Sequence, residues 1–366
     1  MKTFRPEQSP LEDQIVDSTL PLPNDYYFPD FQVPNSTVRN YVTDIKKPCA
    51  HVNGEVHTDG VVTTDNHSYA VVRGVPYEPR TEISLGMTTA WWTSPRGHNR
   101  HTVEHFMRLG IPIVSIGAEG SYRAKINSES RRDIDRFSNV SLATSAHNFH
   151  EILDYNDELN SEQDYSYQNL ILLGESRGGM VGTGIAAFAD YHDRNIVYSD
   201  LTAPCFPDKL SLSELPEMSA QLLSEPVQLV KLVGSLTLRH LIHYPPTLDL
   251  HPQAVAMNIA TLPTLLSGEA GELGKHIPKN HNMHITTFHD DIVSNPKRWE
   301  EIYADHPNVR IKRIDGAHLT IAHSSTLGYI ESRIFSLLTE IDRTNTMDPD
   351  KLDFTHVHLD DSDIQQ

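Results

Sequence analysis

Apolar positions in this chain change their period along its length. Between about 41 and 92, short runs (His51–Val56, Tyr69–Val75, Ile83–Trp92) alternate with turn signals such as Asp59-Gly60, which predicts an antiparallel opening to a sheet. The period then lengthens. Arg100–Leu109 reads as a helix stopped by Gly110, Ile111–Ile116 as a strand, Ser141–Tyr155 as a helix and Leu170–Leu173 as a buried strand. Met180–His192 follows as a helix and Asn195–Leu201 as a strand. Strands alternating with helices predict an α/β fold with a mostly parallel central sheet flanked by helices and right-handed crossovers. Residues 207–280 break the rhythm. Leucines recur at helical spacing from Leu210 to Tyr244, interrupted by Pro216 and Pro226, and a second helical pattern covers His251–Leu266. No strand pattern lies there, so the segment reads as a helical cap or lid insertion. Strand Met283–Phe288, helix Pro296–Ala304, strand Val309–Ile314 and helix Ser324–Ile341 resume the alternation.

This divides the chain into an irregular, proline-rich N-terminal arm (1–40), a core (41–206 and 281–342), a cap (207–280) and an acidic tail (343–366) expected to be mobile. Within the core one segment carries chemistry. Residues 169–181 read NLILLGESRGGMV, an apolar strand meeting Gly174-Glu175-Ser176-Arg177-Gly178 and then a helix of small residues. The pattern G-x-S-x-G needs only three fixed residues and is weakly specific alone. Between a strand and a helix it sets the serine on a turn too tight for side chains at the flanking positions, with its hydroxyl lifted clear of the sheet. The competing reading is a glycine-rich turn whose serine only caps the helix.

A nucleophilic serine needs a base, and the base an orienting carboxylate. In parallel sheets functional side chains gather after the carboxyl ends of strands. The last two strands end in His289-Asp290-Asp291-Ile292-Val293 and Asp315-Gly316-Ala317-His318. Taken as Ser176, Asp290 and His318, the order along the chain is Ser, Asp, His.

On the segments GESRGG (174–179), HDDIVS (289–294) and DGAH (315–318), the chain resembles the α/β-hydrolase superfamily over roughly residues 50–340. The resemblance implies a serine esterase- or lipase-like triad with Ser176 as nucleophile, Asp290 as acid and His318 as base. Acids of that family typically stand as Asp-x-apolar-Val, which suits Asp290 with Ile292 and Val293; Asp291 is the rival position. One oxyanion donor is expected from the backbone of Arg177 and the other from the loop Thr93-Ser94-Pro95-Arg96-Gly97-His98. Pro95 has no N–H, so Thr93 or Ser94 is the candidate; the usual His-Gly opening of that loop is missing. Gly117-Ala118-Glu119-Gly120-Ser121 resembles the glycine-rich turn that often stands beside such a site. Trp91 and Trp92 end the strand before the oxyanion loop, and Arg177 could reach a substrate carboxylate or bond back to the protein.

Composition narrows the function without choosing it. With 366 residues and a mean hydropathy of −0.42, an ordinary globular chain is expected. A net charge of −19 argues against nucleic acid or an anionic membrane as partner. The start MKTFRPEQSPLEDQ lacks a secretory apolar stretch, and no run approaches the ~20 apolar residues of a membrane span, so a cytoplasmic setting is expected. Only Cys49 and Cys205 are present, too few for a disulfide framework. Histidines cluster late (His240, His243, His251, His276, His281, His284, His289), but no His-Glu-x-x-His or zinc-spaced cysteine pair occurs, so neither metal nor organic cofactor is expected. The expected partner is a small acyl substrate, hydrolysed through an acyl-enzyme. The alternatives are a catalytically silent binding protein, or an acyltransferase or peptidase using the same triad.

Overall fold

The computed structural model describes residues 38–49, 53–63, 67–90, 98–121, 141–159, 164–209, 264, 266–289, 291, 293–315 and 324–357. Among them nine strands form one sheet: β1 Val38–Cys49, β2 Gly54–Thr63, β3 Ser68–Pro76, β4 Ser84–Thr88, β5 Ile113–Ile116, β6 Asn169–Glu175, β7 Asn195–Thr202, β8 Met283–Phe288 and β9 Val309–Ile314. Their spatial order is β1-β2-β3-β5-β4-β6-β7-β8-β9. The first three strands pair antiparallel, as does β3 with β5, and β4 through β9 run parallel. The antiparallel opening and the parallel remainder both match the change of period.

Burial explains the patterning. Strands β4 and β8 are buried at every position, as two-faced coverage requires, whereas β9 at the far edge is largely half-exposed. One face carries α1 (His98–Phe106) and α6 (Ser324–Thr344). Leu327, Ile330, Ile334, Leu337, Leu338 and Ile341 form the apolar stripe of α6 and share a cluster with Leu85, Met87, Ile171 and Leu173 of the sheet. The helices α2 (Leu142–Leu159) and α3 (Arg177–Phe188) pack together. Phe149 of α2 reaches the sheet over Gly86, where a β-carbon would stand 3.0 Å from its ring. α6 is pinned to the sheet by a buried bidentate pair, Arg333 Nε and Nη2 donating to Asp200 of β7 at 2.7 and 2.9 Å.

Three expectations change. β1 was not foreseen as a strand; it is an edge strand with lysines, a proline and two register shifts, features that mask the strand pattern while discouraging edge pairing. β4 ends at Thr88, not Trp92; the two tryptophans have strand-like propensity but lie outside the described residues. The tail is not free from 343 onward: Leu352, Phe354 and Val357 join the main core cluster, and residues beyond 357 lie outside the described residues. The arm up to 37 and the bulk of the cap, 210–263, also lie outside them. The ends of that insertion meet: Lys209 and Ser267 form an antiparallel bridge. The returning chain forms α4 (Glu269–Gly274), whose Glu269 carboxylate accepts from the N–H groups of Leu142 and Ala143 at 3.1 and 3.0 Å and so caps α2. The short helix α5 (Pro296–Ile302) links β8 to β9.

Candidate active site

Ser176 stands between β6 and α3 with φ 54° and ψ −118°, a positive-φ conformation outside the populated regions that costs a non-glycine residue about 1–3 kcal/mol. The surroundings impose it. Its N–H donates to Thr202 O of β7 at 2.8 Å, and its carbonyl accepts from Met180 N at 3.2 Å. Gly178 lies so close to the end of β4 that a β-carbon there would stand 2.3 Å from Thr88 O, and one on Gly174 would stand 2.8 Å from Gly178 O. The Thr88 hydroxyl donates to Gly178 O at 2.7 Å and ties the turn to β4. Thus both motif glycines are required by close backbone approach, and the serine is left half-buried at the sheet's carboxyl edge.

Arg177 is the first residue of α3, so its N–H belongs to the first turn, where no intrahelical acceptor exists. Its side chain turns back into the protein. Nη2 pairs with Glu119 Oε2 and lies 3.4 Å from Ser145 Oγ, which itself donates to Glu119 Oε1. All three are buried. The turn after β5 is therefore a buttress for the serine turn: Gly120 takes φ 75°, and Ser121 Oγ accepts from Ala70 N at 3.0 Å. Of the two roles open to Arg177, the structure supplies the bond back to the protein.

Cys205 follows β7 and was not foreseen in the site. It is a buried thiol with Sγ 3.2 Å from Ser176 Oγ. The bend that carries it is held on both sides: Ala203 N donates to Thr286 O at 2.7 Å, Trp299 Nε1 to Pro204 O at 3.0 Å and Phe206 N to Val293 O at 2.9 Å. The signal that could have found Cys205 is the one used for the triad, a reactive side chain just past the carboxyl end of a parallel strand.

Asp290, His318, Thr93 and Ser94 lie outside the described residues. The strands that precede two of them are in register, Phe288 of β8 opposite Ile314 of β9, and His289 N donates to Ile314 O at 2.9 Å. Because β6, β8 and β9 are parallel, the chain leaves all three at the same edge of the sheet. Asp291 is buried, and its Oδ1 accepts from Val293 N and Ser294 N at 2.9 and 3.0 Å, closing the loop after β8.

Solved structures share this fold. An enol-lactonase from Burkholderia xenovorans superposes with a TM-score of 0.54 at 10% identity, covering 75% of this chain and 97% of that one. A peroxisomal alpha-beta-hydrolase from Saccharomyces cerevisiae gives 0.50 at 12% identity, over 88% and 93%. A hypothetical protein from Pseudomonas aeruginosa gives 0.50 at 10% identity, over 79% and 98%. No protein-family model and no curated protein sequence matches the chain. The chain has the α/β-hydrolase fold. Among the described residues no helix is long and apolar enough to cross a membrane.

Proposed function

We propose that the protein is a serine hydrolase that cleaves carboxylic ester bonds through an acyl-enzyme. The observation that carries this reading is the strained conformation of Ser176, enforced by glycines with no room for a β-carbon, at the edge where functional groups of a parallel sheet gather. A serine that merely capped α3 would not need that strain, and its hydroxyl makes no cap bond to the helix. The shared fold of an enol-lactonase and a peroxisomal hydrolase is consistent with acyl chemistry.

In this reading His318 takes the proton of Ser176 as the serine oxygen attacks the acyl carbonyl. Asp290 orients His318 and stabilises its charged form, with Asp291 holding the loop beside it. The oxyanion rests on the N–H of Arg177 and on a second N–H from the loop after β4, at Thr93 or Ser94. His318 then protonates the departing alcohol, and water, activated by the same histidine, releases the acid. The Arg177–Glu119 pair fixes the elbow, and Cys205 forms part of the wall beside the nucleophile. The test is turnover of a short-chain p-nitrophenyl ester by the wild type and by Ser176→Ala. Hydrolysis by the wild type alone supports the proposal; equal turnover by both proteins, or none by either across ester, thioester and amide bonds, counts against it.

A further inference from the structure

A second cluster of reactive side chains lies at the other end of α3. We propose that His147, Glu151 and His192 form a binding site for a divalent transition-metal ion of the Zn2+ type, which clamps α2 to the turn that follows α3. His147 and Glu151 stand four residues apart on α2 and so share one helix face. His192 ends the 3-10 turn Asp190–His192. His147 Nδ1 is 3.0 Å from His192 Nε2, His147 Nε2 is 3.6 Å from Glu151 Oε1, and one ligand atom from each residue can be chosen with all within 4.8 Å of one another. A tetrahedral ion with bonds of about 2.0–2.1 Å holds its ligand atoms ~3.3 Å apart. The two shortest contacts use opposite ring nitrogens of His147, so the distance that bears on one common ion is the 4.8 Å within which one ligand atom of each residue lies. Side-chain rotation closes it by ~1.5 Å around an ion, and two imidazoles with one carboxylate leave a fourth position for water.

The surroundings fit ligation. The ring of His150 stacks on His192 at 4.3 Å and 13°, while His150 Nε2 donates to Ile185 O at 3.0 Å, which fixes the plane of both rings. Asp154 Oδ2 lies 4.0 Å from His192 Nδ1, the second ring nitrogen, where an orienting carboxylate usually stands. The ligands come from two elements, so the spacing rules that scan single segments for zinc sites do not find them.

The twelve residues of α3, ~18 Å along the helix axis, separate Ser176 from the turn that carries His192, so the ion would be structural and not part of ester cleavage. The test uses the full-length, untagged, chelator-treated protein. Titration with Zn2+ is expected to show one saturable site and a rise in Tm, with affinity lost at least ~100-fold in His192→Ala and Glu151→Gln. Substitution of Co2+ in the wild type is expected to give the intense visible absorption of tetrahedral coordination, a readout that stands if a variant fails to fold. Zinc binding that is weak and unsaturable, that is unchanged in both variants, or that gives only the pale spectrum of six-coordinate Co2+ would overturn the proposal and mark surface histidines as the source.

Discussion

The sulfur of Cys205 lies 3.2 Å from the hydroxyl oxygen of Ser176. A small residue is needed there because any larger group enters the space in front of the serine, and the bend is too well anchored to withdraw. Cys205→Ala is expected to retain esterase activity within about threefold at a stability cost of ~1 kcal/mol, since a buried thiol acts as a small hydrophobe. Methylthiolation is expected to abolish wild-type activity, reversibly with a thiol, and to spare Cys205→Ala. Equal inactivation of both proteins would show that the thiol does not border the reacting space.

Glu119 and Arg177 join the turn after β5 to the serine turn. Removing one partner leaves a buried charge without its complement, which costs about 3–5 kcal/mol. Glu119→Gln should lower the urea midpoint accordingly and reduce kcat more than it raises KM, because the pair positions the elbow and does not touch substrate. An effect on KM alone would instead make Arg177 a substrate contact.

Glycines separate into two kinds. A β-carbon on Gly178 would meet backbone of β4 at 2.3 Å, whereas one on Gly328 in α6 would meet nothing within 4 Å. Gly178→Ala is expected to lose about 3 kcal/mol or more, or to fail to fold. Gly328→Ala should gain ~0.5–1 kcal/mol from helix propensity. Chemical unfolding of the pair checks both signs; similar midpoints would refute the close approach at the elbow.

His281 is buried against Ser199, with Nε2 2.9 Å from Ser199 Oγ, and burial together with His306 lowers its pKa to about 4. The unfolded chain therefore binds this proton more readily than the native state between about pH 6.5 and 4, so stability falls as the pH falls through that window. The contribution is at most about 3 kcal/mol. His281→Gln should flatten the loss of Tm between pH 7 and 5; an unchanged slope would assign the acid sensitivity elsewhere.

Much of this architecture is legible in the amino-acid order because its central strands are buried on both faces. Leu170–Leu173 announces itself as a compact apolar run, Met283–Phe288 as a short strand with apolar ends, and Val309–Ile314 as the alternating pattern of a half-exposed edge strand; each ends where the chain must turn at the functional edge. The serine elbow is legible for the same reason: its glycines record backbone contacts. What stays hidden depends on residues distant in sequence. Glu119 and Arg177 meet across 58 positions, Ser176 and Cys205 across 29, and nothing in their local segments marks the partner. Edge strand β1 is obscured by the charged residues and proline in its sequence, and the docked segment through Val357 by polar and acidic residues that surround the few positions making contact.

Acylation of Ser176 is tested most directly by peptide mapping with mass spectrometry after treatment with a serine-directed fluorophosphonate. A single stoichiometric adduct is expected on the peptide carrying Ser176, absent in Ser176→Ala and strongly slowed in His318→Ala and Asp290→Asn. No adduct on the folded wild type, or an adduct that persists in Ser176→Ala at another residue with ester turnover intact, would contradict it.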